Sequence, residues 1–143
     1  MTTPTALEAK DAIRDVLHSY CFRLDAGEFD SWAELFTTDA VFVPSPDQEC
    51  HGRAAIRDYI GSVLSEAGAG PGRKHLTINA VITLAGDEAD VISNVLVVLE
   101  TAAGITIALA GRYADHIVND NGHWRFKKRA VHFDIVGDLG LNS

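Results

Sequence analysis

The sequence predicts an α+β fold: three N-terminal helices packed into the concave face of a strongly curved, mostly antiparallel sheet. Three observations carry this. The front half places apolar residues at helical spacing. The back half alternates over long strand-like runs. Short turns rich in Gly and Asn separate those runs, as hairpins require.

The first helix opens at Thr5, which forms a capping box with Glu8. Ile13, Val16, Leu17, Tyr20 and Leu24 then make one apolar stripe, and Gly27 is the natural stop. A short second helix is expected over Ser31–Phe36, with Trp32, Leu35 and Phe36 on one side. Ala40–Val43 reads as a short strand stopped by Pro44 and Pro46. The third helix starts near Gly52, carries Ile56, Ile60, Val63 and Leu64, and ends before the glycine-rich loop Gly68–Gly72. Strands are expected over Lys74–Leu84, Ala89–Glu100, Ile105–Val118 and His123–Val136. In the first of these, period-two alternation puts His75, Thr77, Asn79 and Val81 on one face. In the last, Trp124 and Arg129 have opposite parity, so both point inward only if a β-bulge lies between them. Gly137–Ser143 reads as a tail or a lid.

Composition bounds the function. The chain has 143 residues, the size of one domain, and 1–143 is read as one. Twelve Lys and Arg against 20 Asp and Glu leave a net charge of −8, which disfavours a phosphate backbone, so no nucleic-acid partner is expected. No apolar run is long enough to span a membrane, and the N-terminus lacks the pattern of a signal peptide. Cys21 and Cys50 show neither CxxC spacing nor scaffold density, which fits a reducing cytoplasm. The six histidines have no metal-site spacing, and there is no nucleophile elbow or P-loop, so no metal or cofactor is expected.

A concave sheet closed by helices encloses a cone-shaped pocket, and polar side chains inside it must be paired or functional. Tyr20, Asp25, His75, Asn79, Arg129 and His132 are the candidates. Tyr20 and Asp25 are roughly 140° apart around the first helix, so they share a pocket only if the helix end loosens at Gly27. Each also has a bland reading: a core tyrosine, a helix-end cap, a structural strand histidine, a surface ion pair. The convex face of the sheet should hold the apolar alternate residues of strands such as Ala89–Glu100. That predicts a homo-oligomer, a trimer ahead of a dimer.

The segments Tyr20–Asp30, Leu35–Ala40, Gly52–Ile56, His75–Asn79, Gly111–Asp115 and Trp124–Arg129 together resemble SnoaL-like members of the nuclear-transport-factor-two-like superfamily, the cone-shaped α+β barrels. Within it the pattern is similar to scytalone dehydratases, bile-acid dehydratases and hexachlorocyclohexane dehydrochlorinases, which pair an Asp at the end of helix one with a His on the strand after helix three. Asp25 and His75 match those positions, Tyr20 matches a dehydratase tyrosine, and Arg129 matches an arginine of the last strand. The resemblance implies His75 as base, Asp25 as its orienting carboxylate, and Tyr20 and Arg129 as acid or anion stabiliser. It implies a hydrophobic small-molecule substrate contacted by Trp32, Phe36, Asn79, Asn94, Tyr113 and His132, and a lyase-type elimination. Ketosteroid isomerases resemble the chain at Tyr20 but carry an Asp in the first strand where this chain reads Val43-Pro44. Isomerisation, polyketide-type cyclisation, epoxide hydrolysis and non-catalytic ligand binding occur on the same fold and remain alternatives.

Overall fold

In the computed structural model, residues 3–64 and 72–137 are described. They form α1 (Ala6–Asp25), α2 (Phe29–Ala33), β1 (Phe36–Ser45), β2 (Gln48–His51) and α3 (Arg53–Val63). Four long strands follow: β3 (Arg73–Ala85), β4 (Glu88–Thr101), β5 (Gly104–Asp120) and β6 (His123–Val136). The sheet order is β2-β1-β6-β5-β4-β3, open at both edges. Every neighbouring pair is antiparallel except β1 with β6, which is parallel. No described helix is long and apolar enough to cross a membrane.

α1 begins as expected: the Thr5 hydroxyl accepts the Glu8 backbone N–H at 3.1 Å. It ends in a Schellman turn. The Glu28 N–H returns to the Arg23 carbonyl at 2.9 Å and the Gly27 N–H to the Leu24 carbonyl at 3.1 Å, with Gly27 at φ 73°. That turn fixes Asp25 in the last helical position.

α2 lies two residues earlier than the sequence predicts, because the chain beyond Glu34 is claimed by the sheet. The Phe126 N–H bonds the Leu35 carbonyl, and the Arg53 guanidinium holds the Phe36 carbonyl at 2.6 and 3.0 Å. β1 also runs through Pro44, and β2 is an additional strand that periodicity does not announce. Pro44 lies past the last β1–β6 pair, Val43 with Ala130, where no ladder partner needs its missing N–H.

The sheet bends at bulges. Asn79 and Ala80 of β3 oppose the single residue Ser93 of β4, and Asn79 sits at φ 57°, a conformation Asn tolerates better than most residues. The extra residue resets the alternation. Before it, His75 and Thr77 face inward; after it, Ala80, Ile82 and Leu84 do. The expected bulge in β6 is at Lys127, since Phe126 pairs with Ile117 and Lys128 with His116, and it turns both Trp124 and Arg129 inward. A second β6 bulge lies at Asp134, opposite Gly111.

A Cβ built on Gly111 would collide with the His132 carbonyl oxygen, which is backbone and cannot swing away. Gly111→Ala should therefore displace β6 at this bulge and cost about 1–3 kcal/mol, read as a lowered melting temperature. An unchanged melt would show that the two strands are not so closely apposed.

The core is a cluster of rings. Trp32 and Phe36 lie 5.1 Å apart between centroids, Tyr20 and Trp32 5.4 Å, and Tyr20 and Phe126 5.7 Å. Ile13, Leu17 and Leu24 of α1 and Ile56 of α3 close the cone from the helical side.

Candidate active site

Asp25 and His75 meet where α1 ends against β3. Asp25 Oδ1 lies 2.6 Å from His75 Nδ1, and Asp25 Oδ2 accepts the His75 backbone N–H at 2.9 Å. The side chains are only 15% and 12% exposed. A carboxylate at a helix C-terminus is opposed by the helix dipole, so Asp25 needs these donors. Because a carboxylate only accepts, the hydrogen-bond network assigns the proton of a neutral ring to Nδ1 and leaves Nε2 bare. Among the described residues Nε2 has no hydrogen-bond partner.

Among the described residues, two cavities touch this dyad. One, of about 250 Å³, lies in the cone between Tyr20, Tyr59, His75, Val97, Tyr113 and Val131. The other is an outer cleft of about 420 Å³ beside Phe22, Asp25, Arg73, Lys74, His75 and Leu76. His75 lines both. With Nδ1 held by Asp25, Nε2 is the ring nitrogen left for a ligand.

Deeper in the cone, Arg129 and Asp115 face each other across β6 and β5. Arg129 Nε–Asp115 Oδ1 is 2.8 Å and Nη2–Oδ2 is 2.9 Å, and neither side chain has any exposure. The guanidinium carbon lies 3.6 Å from the Tyr113 ring centroid and 4.3 Å from those of Tyr20 and Phe126. Burial pushes the Asp115 carboxyl up and the guanidinium opposes it. Burial also works against the Arg129 charge, but Asp115 outweighs it and the net direction is up. The forked geometry needs a carboxylate, so the pair is ionised. Burial holds both phenols protonated: Tyr20 is pushed up to about 12, with Arg129 opposing, and Tyr113 is well above its ordinary value. Both are hydroxyl donors at neutral pH.

The expected residues thus divide. Asp25, His75, Tyr20 and Tyr113 are at or beside the cone cavity. Arg129 points into the cone behind that cavity; Asp115 takes its Nε and Nη2, and its buried Nη1 has no hydrogen-bond partner among the described residues. Trp32 and Phe36 are wholly buried in the ring cluster and line no part of the cavity, so they shape it from behind. Asn79 and Asn94 are on the outer face, joined by an Asn94 Nδ2 to Asn79 Oδ1 bond of 3.0 Å, because the bulge reverses Asn79. His132 is also outside, over a shallow hollow on the convex face. Asp115 is not among the expected site residues, although Tyr113-Asp115-Ile117 is an inward alternation that puts a charge on the buried side.

The convex face carries its own titrating group. His116 Nδ1 is 2.9 Å from Asp90 and Nε2 is 3.1 Å from Glu88, while Lys128 pairs with it across the strands. Both ring nitrogens can donate only in the imidazolium, so the Asp90 and then the Glu88 hydrogen bonds raise the His116 pKa against slight burial. A raised folded pKa means a stabilisation fully present below the unfolded value of about 6.5 and lost as pH rises through the folded value. In an NMR titration His116 should titrate above an ordinary histidine. Raising the pH from about 6 to about 9 should shrink the melting-temperature gap between wild type and His116→Asn. A gap that is constant or widens would contradict this.

Comparisons with known proteins agree with this architecture. A candidate scytalone dehydratase from Novosphingobium aromaticivorans is 26% identical and superposes with a TM-score of 0.83, over 96% of this chain and 91% of that one. Rv3472 of Mycobacterium tuberculosis, of unknown function, is 27% identical with a TM-score of 0.77, over 92% of this chain and 80% of its own. ActVI-ORFA of Streptomyces coelicolor shares the fold at 22% identity, with a TM-score of 0.78 over 91% and 98% of the two chains. Among curated proteins no match is found. The SnoaL-like domain matches residues 5–130, nearly the whole chain. With its helices closing a bent six-stranded sheet, the chain belongs to the SnoaL-like family.

Proposed function

We propose that this chain is a cofactor-free lyase that eliminates water from a small lipophilic β-hydroxy carbonyl compound. The observation that carries the reading is the dyad: one His75 nitrogen is fixed by a buried carboxylate while the ring lines an apolar cavity. The family includes dehydratases and polyketide cyclases, and the structural neighbour from Novosphingobium supports the elimination branch.

In the reading, His75 Nε2 removes the proton from the carbon next to the carbonyl. Asp25 holds the ring and stabilises the imidazolium that forms. Tyr20 or Tyr113 donates a hydrogen bond to the enolate oxygen. The enolate then collapses, the carbon–oxygen bond at the β position breaks, and the imidazolium returns its proton to the departing hydroxide. The products are an enone and water. Asp115 keeps Arg129 in place behind the two phenols. Side chains supply every step, so the reading calls for no metal. Cyclisation and isomerisation would share the first step and differ afterwards.

The test uses the aldol adduct of benzaldehyde and acetone, whose dehydration to benzalacetone is followed by ultraviolet absorbance. Wild type should accelerate dehydration, or at least exchange the adduct's α-protons in heavy water, and His75→Ala should do neither. A wild type no faster than buffer in both assays would favour a ligand carrier, in which Asp25 and His75 are only a satisfied structural pair.

We further propose a cytoplasmic homo-oligomer, a trimer ahead of a dimer. Leu76, Ile78, Val81, Ile92 and Ile107 are 39–61% exposed on strands of the open sheet, more apolar surface than a monomer ordinarily leaves wet. Light scattering that shows a stable monomer at micromolar concentration would overturn it. The two free cysteines support the compartment, and cell fractionation tests it.

A further inference from the structure

The cone cavity is built to exclude charge. Its polar lining residues are Tyr20, Tyr59, Tyr113 and His75; the rest of the lining is aliphatic or aromatic. Among the described residues no Lys or Arg lines it. Residues 1–2, 65–71 and 138–143 contain no Lys, Arg or His. The nearest buried cation, Arg129, is bonded twice to Asp115, which balances its charge, and packs against three rings; its Nη1 has no hydrogen-bond partner among the described residues but carries no charge that Asp115 leaves unmatched. His75 could gain a positive charge, but Asp25 already neutralises it at 2.6 Å. An anionic ligand would lose its hydration and find, among the described residues, no counter-charge that is not already balanced.

Among the described residues, the cavity limits size as well. A dry engineered cavity of about 150 Å³ takes a benzene. The 250 Å³ here scales to roughly ten heavy atoms inside the cone.

From charge and volume together, we propose that this site takes an uncharged lipophilic carbonyl compound of about ten to thirteen heavy atoms, and rejects carboxylates, phosphates and large polycyclic ligands. The carbonyl rests on the elimination reading above; the charge and size rules rest on the cavity alone. The enzyme therefore acts on a free neutral molecule, and a reaction that adds an anionic carrier or a carboxylate belongs before or after it.

The probes are β-tetralone, which is neutral and of the right size, β-naphthoate, its anionic counterpart, and testosterone, neutral but with four rings. Binding to the full-length protein is read by calorimetry at neutral pH, and for β-naphthoate also near pH 5.5. β-Tetralone should bind at least about 100-fold more tightly than β-naphthoate, and testosterone should bind no better than β-naphthoate. Naphthoate affinity should rise roughly tenfold per unit of pH lowered, as the neutral acid becomes available. The preference should survive in His75→Gln, since the cavity and not an imidazolium sets it. Equal or tighter binding of β-naphthoate at neutral pH, no binding of β-tetralone, or a preference lost in His75→Gln overturns the charge rule. Tight testosterone binding overturns the size rule. If β-tetralone binds selectively but dehydration and proton exchange both fail, the selectivity stands and the catalytic reading falls. Catalysis without selectivity would leave the elimination standing and overturn the charge and size rules.

Discussion

Asp115→Ala is expected to destabilise this fold by about 3–5 kcal/mol, because it strands the Arg129 guanidinium in the core without its carboxylate. For a chain of this length that is a fall in melting temperature of about 10–20 °C, a large part of an ordinary domain's stability. The three rings around Arg129 soften the loss through cation–π attraction but cannot replace two charge-assisted hydrogen bonds. The double variant Asp115→Leu with Arg129→Met should recover much of the stability, since apolar replacement of a whole buried pair is often neutral. Thermal melts of the single and double variants decide it. A single variant within about 1 kcal/mol of wild type would mean that water reaches the pair.

His75→Ala is expected to lower turnover of the benzaldehyde–acetone adduct by about 10²–10⁴, with the melting temperature unchanged or raised. Asp25→Asn should be nearly as damaging, because the ring loses the charge that supports its protonated form. The stability arm separates catalysis from architecture. The dyad touches both the outer cleft and the cone cavity, so a catalytic pair is one the fold can lose. A pair retained for architecture behaves like Asp115 with Arg129. Melting losses as large as those of Asp115→Ala in both dyad variants, with no turnover in wild type, would make it structural.

The parts of this molecule legible in the sequence are those set by local physics. Thr5 announces α1, and the spacing of Ile13, Leu17, Tyr20 and Leu24 names its buried face. Gly27 marks its end, where Asp25 is presented. The β6 bulge is legible because Trp124 and Arg129 cannot both face inward on a regular strand. Distant partners hide the rest. Nothing near Asn79 reports that Ser93 faces two residues at once, so simple alternation puts Asn79 on the wrong side. Pro44 looks like a strand end because its neighbours in the sheet are unknown until the sheet exists. Asp115 acquires meaning only opposite Arg129. The expected roles of the loop 68–71 and the tail 138–143 lie outside the described residues; Gly137, next to that tail, bonds the Ala108 carbonyl at 2.9 Å.

The parallel pairing of β1 with β6 has a consequence for how the chain reaches this state. Phe42 meets Arg129, and the Leu35 carbonyl waits for the Phe126 N–H, so the first strand has no inner neighbour until the last has been made. At ordinary synthesis rates that interval is on the order of ten seconds. Throughout it Trp32, Phe36 and Phe42 have only the helices and β2 to shelter them. Contacts so distant in sequence also make the closing step slow relative to a helical protein of equal size. Nascent chains should therefore engage chaperones through this aromatic segment, and acquire the completed cone only when β6 is released from the ribosome.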